Sequence, residues 1–173
     1  MFVCITADSL SSPMNHKAVL ATIYLLIAVS FAAGFPVSAR AGDIAVVVRP
    51  ETPADDLSLR EIRDLMLGEK QFWNSSLRVT LLIRAPTARE RDVVLKVIYH
   101  MTEAQFRQYW ISKVFRAETT TGPKIVYSNH MATELVAALP GSVSFVDTDE
   151  VPRGLKVLRV DGKLPGDAGY PLR

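Results

Sequence analysis

In Leu81-Leu82-Ile83-Arg84-Ala85-Pro86-Thr87-Ala88-Arg89-Glu90-Arg91-Asp92-Val93-Val94 an apolar run gives way to a proline-marked turn and then to a helix start. Leu81, Leu82 and Ile83 are continuously apolar, as in a buried strand, and Pro86 punctuates the turn. Thr87 and Glu90 have the spacing of a capping box, in which each side chain satisfies a backbone donor at the start of a helix. That arrangement would aim unpaired N–H groups and the positive end of the helix dipole at one point, with Arg84 and Arg89 beside it. Such a point attracts anions. The alternative is that Thr87 only caps a helix and the arginines are solvated.

Upstream, Ile44-Ala45-Val46-Val47-Val48 is too short for a helix and suits a fully buried strand. Ser58 and Glu61 predict a capped helix whose apolar face is Leu59, Ile62, Leu65 and Met66, with Leu57 stapled against Ile62 and Gly68 as its stop. Trp73 is expected to fold back onto the core. Residues 79–83 give the second buried strand, and the helix-containing segment between the two strands has the size of a βαβ crossover joining parallel strands.

Downstream, the helix opened at Thr87 runs to about His100 with Val93, Val94, Val97 and Ile98 inward, and Thr102 with Gln105 caps another. Phe106, Tyr109, Trp110 and Val114 form an aromatic and apolar stripe at helical spacing, which core packing explains without a cofactor. Residues 118–123 are a polar loop with three threonines. Ser128 is expected to cap a helix through Leu139 with Met131, Leu135 and Val136 inward. Short strands follow at residues 143–146 and 155–160, then an Asp161-Gly162 turn and an irregular tail.

Residues 1–41 read as a leader. Residues 18–33 are almost wholly apolar behind His16-Lys17, and Ala39-Arg40-Ala41 presents small residues where a signal peptidase cuts. The run is shorter than the roughly 20 residues that span a membrane. A cleaved signal peptide is therefore expected, with Met14 a more ordinary start than Met1, a domain over residues 42–173, and no stable membrane anchor after cleavage. The only cysteine, Cys4, precedes the apolar run, so residues 42–173 contain neither a disulfide nor a cysteine metal site. Removing Lys17, Arg40 and Asp8 with the leader leaves a net charge near +1 (from +2), which excludes bulk attraction to nucleic acid or to an anionic membrane.

Catalytic signals are missing. His100 and His130 have no metal-ligand spacing, and there is no nucleophile elbow or phosphate-cradling glycine loop. Asp55-Asp56 and Asp147-Thr148-Asp149-Glu150 could attract a divalent cation but are read as solvated loop charges. The expectation is a protein that is not an enzyme, with no catalytic residue, no metal and no cofactor.

Leu57-Ser58-Leu59-Arg60-Glu61-Ile62-Arg63-Asp64-Leu65-Met66-Leu67-Gly68-Glu69-Lys70-Gln71-Phe72-Trp73-Asn74 resembles the "helix, Phe-x-Gly-Lys, then Trp" segment of the phosphate-binding proteins of ABC transporters. Residues 44–48 resemble the strand that introduces it. Leu139-Pro140-Gly141-Ser142-Val143-Ser144-Phe145-Val146 is similar to the family's Pro-Gly-Ala-Ile-Gly-Tyr-Val stretch, and Tyr109-Trp110 falls where the family carries an aromatic helix. The resemblance implies an α/β, periplasmic-binding-protein-like (type II) sandwich, here a single lobe with a mixed, mainly parallel sheet flanked by helices. It implies an exported, periplasmic solute-binding-like protein that takes phosphate or a related oxyanion at the strand–turn–helix.

The family's anion motif is an arginine after the strand followed by Ser-Gly-Thr at the helix start. Arg84 matches the arginine; Thr87 takes the serine's place if the turn is one residue shorter, and otherwise Ala88 does. Arg89 and Glu90 stand where the glycine and threonine would be. The implied ligand set is Arg84, Thr87, Ala88 and Arg89, and the implied partners are a small oxyanion and an inner-membrane transporter or another periplasmic protein. The rival reading keeps the lobe as a periplasmic interaction or assembly module with no retained ligand.

Overall fold

The computed structural model describes residues 42–173; the leader and its start codon lie outside the described residues. Strands β1 (Ile44–Val48), β3 (Thr80–Arg84), β4 (Lys124–Val126), β5 (Ser142–Asp147) and β6 (Lys156–Val157) form one sheet in the order β4-β3-β5-β1-β6. Strands β2 (Asp56–Leu57) and β7 (Arg159–Val160) pair in parallel beside it. Helices α1 (Leu59–Met66), α2 (Arg89–Val93), α3 (Glu103–Phe115) and α4 (Asn129–Ala138) cover the faces. The fold is thus a mixed, mainly parallel α/β sheet flanked by helices: β3 runs parallel to β4 and β5, and β1 alone runs against its neighbours β5 and β6.

The position of β1 corrects one expectation. It is not joined to β3 as a parallel βαβ pair, because β5 lies between them and pairs antiparallel with β1 from Ile44↔Asp147 to Val48↔Val143. All five β1 residues are buried, so the strand needs partners on both edges and cover on both faces. Connection length constrains neither the direction nor the neighbour that meets those needs.

The pleat divides the core in two. Ile44, Val46, Val48, Ile83 and Phe145 face α1, α3 and the segment after α2, where Ile62, Leu65, Ile98, Phe106 and Trp110 pack. Ala45, Val47, Leu82, Val126 and Val146 face Ala132 and Val136 of α4.

Local signals place the helices as expected at three starts. Ser58 with Glu61 and Thr102 with Gln105 form reciprocal capping boxes, and the Ser128 hydroxyl accepts the Met131 N–H at 3.0 Å. Hydrogen bonds from the Ser58 backbone and hydroxyl hold the Glu61 carboxyl below its ordinary range. Gly68 ends α1 at φ +70°, and a Cβ there would stand 3.1 Å from Trp110 Cη2. Trp73 is buried as expected and donates from Nε1 to Gly141 O at 2.8 Å.

Two inward assignments change, those of Val114 and Met131. After α2 the chain widens into a π-helical segment, Val94–Tyr99, closed by His100 at φ +53°. Arg63 donates to the Ile98 carbonyl at 2.6 Å, satisfying an acceptor at that segment's end. Val114 is 43% exposed, and its neighbour Lys113 is the buried residue instead. Burial works against the Lys113 ammonium, but Glu69 (Nζ–Oε1 2.7 Å) and the Tyr109 hydroxyl prevail and hold its pKa above the usual lysine value. Met131 turns outward, leaving Asn129, Ala132, Thr133 and Val136 as the inner face of α4. The expected 155–160 strand splits into β6 and β7 around buried Leu158. The tail is irregular as expected, yet Tyr170 and Leu172 are buried: Tyr170 donates to Ile44 O and Leu172 O accepts the Ile44 N–H, both at 2.8 Å.

Candidate anion-facing turn

Strands β3, β4 and β5 end together, and β1 begins beside the end of β5. This edge of the sheet carries Arg84, Thr87, Ala88 and Arg89 from one loop, Asn129 at the start of α4, and Asp147 to Glu150 after β5. The Arg84 side chain is 12% exposed, because it leaves the last residue of a strand whose preceding residues are core. Its Nε donates to Glu90 Oε2 at 3.4 Å, and its Nη1 is buried with no hydrogen-bond partner among the described residues. Glu90 Oε1 accepts from Asn129 Nδ2 at 2.7 Å, and that same amide nitrogen reaches Glu150 Oε1 at 3.0 Å. Asn129 Oδ1 is also buried and unpartnered among the described residues. The result is a chain of polar groups, Arg84–Glu90–Asn129–Glu150, with a donor at one end and an acceptor in its middle incompletely satisfied.

The other sequence candidates fare differently. Thr87 does not form the expected capping box. It is exposed in the left-handed region at φ +73°, the N-cap is Ala88 with no side-chain cap bond, and α2 extends for only five residues. The physical reason lies in Glu90. A nearly buried guanidinium requires a counter-charge more than a surface amide requires a carboxylate, so Glu90 points to Arg84 and Asn129 instead of back to its own helix start. Arg89 donates to Asp147 Oδ2 at 3.1 Å and to Gly42 O, tying the loop to the ends of β5 and β1. The structure therefore places all four candidates on one strand–turn–helix segment, and Arg84 is the one with a buried donor left unpartnered among the described residues.

Sequence reasoning missed Glu90, Asn129 and Arg91. Glu90 reads as the capping partner of Thr87 and Asn129 carries no signal beside the Ser128 cap, so nothing local marks them as buried partners across 39 positions. Arg91 is 2% exposed, donates to Arg84 O at 2.8 Å, and makes a two-pronged contact with Glu103 at 2.7 and 2.9 Å over the Phe106 ring. The Arg91 hydrogen bond pulls the Glu103 carboxyl below its ordinary range. This pair fixes the backbone from which the Arg84 side chain departs. Among the described residues no group of three His, Cys, Asp or Glu side chains is placed to hold a metal, and no helix is long and apolar enough to cross a membrane.

No protein-family model matches the chain, and no curated protein matches it significantly in sequence. Solved structures do match. A protein from Clostridium perfringens assigned as a phosphate ABC transporter substrate-binding protein, solved with bound phosphate, is 18% identical with a TM-score of 0.57, over 71% of this chain and 46% of its own. An ABC-type phosphate transport receptor from Vibrio cholerae is 16% identical with a TM-score of 0.58, over 72% of this chain and 48% of its own. PstS from Borrelia burgdorferi is 18% identical with a TM-score of 0.57, over 72% of this chain and 49% of its own. The chain spans just under half the length of these structures, and the similarity establishes a periplasmic-binding-protein-like fold.

Proposed function

We propose that the chain is an exported, periplasmic solute-binding-like protein of the phosphate-transporter type that takes phosphate or a related oxyanion at Arg84. The observation that carries this reading is the state of the Arg84 guanidinium. It sits at the end of β3, almost out of solvent, with one long contact to Glu90 and an unpartnered Nη1. An oxyanion would supply the missing acceptor, each charge-assisted hydrogen bond contributing about 1.5–3 kcal/mol. The solved neighbours, one of them holding phosphate, support the choice of ligand.

Affinity in this reading is weak. A micromolar complex requires ~8 kcal/mol, and a single lobe with one free guanidinium edge supplies a fraction of that. Glu90 competes for the same arginine. A second reading, a periplasmic interaction or assembly module on the same lobe, is favoured by that carboxylate and by the Arg89–Asp147 bridge, which together neutralise both arginines of the turn.

Calorimetry of the purified protein with phosphate and sulfate separates the two. The first reading expects millimolar-range heat that disappears in Arg84→Ala. Absence of heat in the wild-type protein at millimolar anion overturns it in favour of the module.

A further inference from the structure

A recess lies at the end of the sheet opposite Arg84, where β3 and β4 begin, and it encloses about 230 Å³. Its floor is apolar, made by Leu65, Leu81 and Trp110. Gly68 and Gly122 lie against the Trp110 side chain: a Cβ on Gly122 would meet it at 3.7 Å, and one on Gly68 at 3.1 Å. The rim is basic and hydroxylic. Lys70, Arg78 and Lys124 stand around it with Thr120 and Thr121, and no carboxylate lines it.

The carboxylates nearest in the chain are already engaged. Glu69 holds Lys113 at 2.7 Å, and Glu118 pairs with Arg116 and lies 3.7 Å from Lys113. Lys70, Arg78 and Lys124 form no ion pair among the described residues. Three unneutralised cations around a concave, partly apolar surface repel one another and focus a positive potential into the recess. A bound anion relieves that repulsion, while the floor gains only if the ligand also carries apolar surface.

We propose that this recess binds a small organic anion, with a carboxylate or phosphate group held by Lys70, Arg78 and Lys124 and a short apolar body against Trp110. The volume sets the size. Drug-sized ligands occupy pockets of roughly 300–1,000 Å³, so the body is a single ring or a short chain. This site is independent of Arg84, which lies at the other end of β3. Inorganic phosphate is a poor ligand here, because it leaves the apolar floor uncovered.

Calorimetric titration of the purified protein with phenyl phosphate, benzoate, inorganic phosphate and benzyl alcohol tests the assignment. The expected result is saturable binding of phenyl phosphate or benzoate, tighter than either inorganic phosphate or the neutral alcohol. Arg78→Ala and Lys124→Ala, both at exposed positions and checked for folding by circular dichroism, should each weaken it about tenfold. Arg84→Ala should leave it unchanged, so failure here is distinguishable from failure of the oxyanion reading. The proposal is overturned if neither organic anion binds, if benzyl alcohol binds equally well, or if affinity follows Arg84 and ignores Arg78 and Lys124.

Discussion

Replacing Glu90 by glutamine keeps the shape of the side chain and an acceptor for Asn129 Nδ2, but it removes the one carboxylate among the described residues that contacts Arg84. The guanidinium, 12% exposed, then has no counter-charge in contact among the described residues. A hydrogen bond between charged groups is worth about 1.5–3 kcal/mol, so the ligand-free variant should lose about 2 kcal/mol, or roughly 5–10 °C in Tm for a domain of this size. Added phosphate should restore that loss, because an anion that binds only the folded state at a hundred times its Kd contributes ~2.7 kcal/mol. The same competition argument predicts that phosphate binds the variant roughly tenfold or more tightly than the wild type. Thermal unfolding across a phosphate series reads both effects. The double variant Arg84→Met/Glu90→Gln removes charge and counter-charge together and should be near wild type in stability and indifferent to phosphate. If E90Q proved as stable as the wild type and equally blind to phosphate, Arg84 would not be an arginine in search of an anion.

Two further substitutions probe the frame of the fold. Gly141→Ala places a Cβ 2.1 Å from the Arg78 carbonyl at φ +73°, in a turn whose carbonyl also serves Trp73 and Thr80. The strained conformation alone costs roughly 1–2 kcal/mol, and the backbone must also move, so urea unfolding should show a loss of more than about 3 kcal/mol; a loss below ~1 kcal/mol would contradict the geometry. Glu103 has its folded pKa lowered by Arg91, so its contribution is present above the ordinary glutamate value of ~4.3 and is lost as pH falls through the depressed folded value. Glu103→Gln should therefore be less stable at neutral pH, its curve converging on the wild type in acid; parallel curves would show that the pair contributes no such pH dependence.

The elements legible in the sequence were those specified by their own residues. Ser58 with Glu61, Thr102 with Gln105 and Ser128 each satisfy donors within one turn, and Gly68 stops its helix through its own φ. The apolar run of β1 announced a buried strand but not its direction, which is set by β5 almost 100 residues later. Thr87 and Glu90 carried a valid local pattern that lost to a distant requirement, the charge on Arg84. Lys113 and Val114 exchange roles for a comparable reason: Glu69, on a separate connection, gives the buried lysine an ion-pair partner that helical spacing cannot reveal. The family resemblance points to Arg84, whereas nothing in the sequence points to the carboxylate that contacts it.

β1 begins the described chain and is completed last. Its ladder partners lie in residues 143–147 and 156–157, and the N–H of Ile44 bonds to Leu172. During synthesis, the five apolar residues 44–48 emerge long before anything that pairs with them. Closing these loops carries an entropic cost met only when the distal strands dock, so the centre of the sheet stays open until the rest of the fold is available. An unfinished chain is exposed to intermolecular pairing through Ile44-Ala45-Val46-Val47-Val48. The strand buried at every residue in the folded protein is thus the one whose partners are synthesised last.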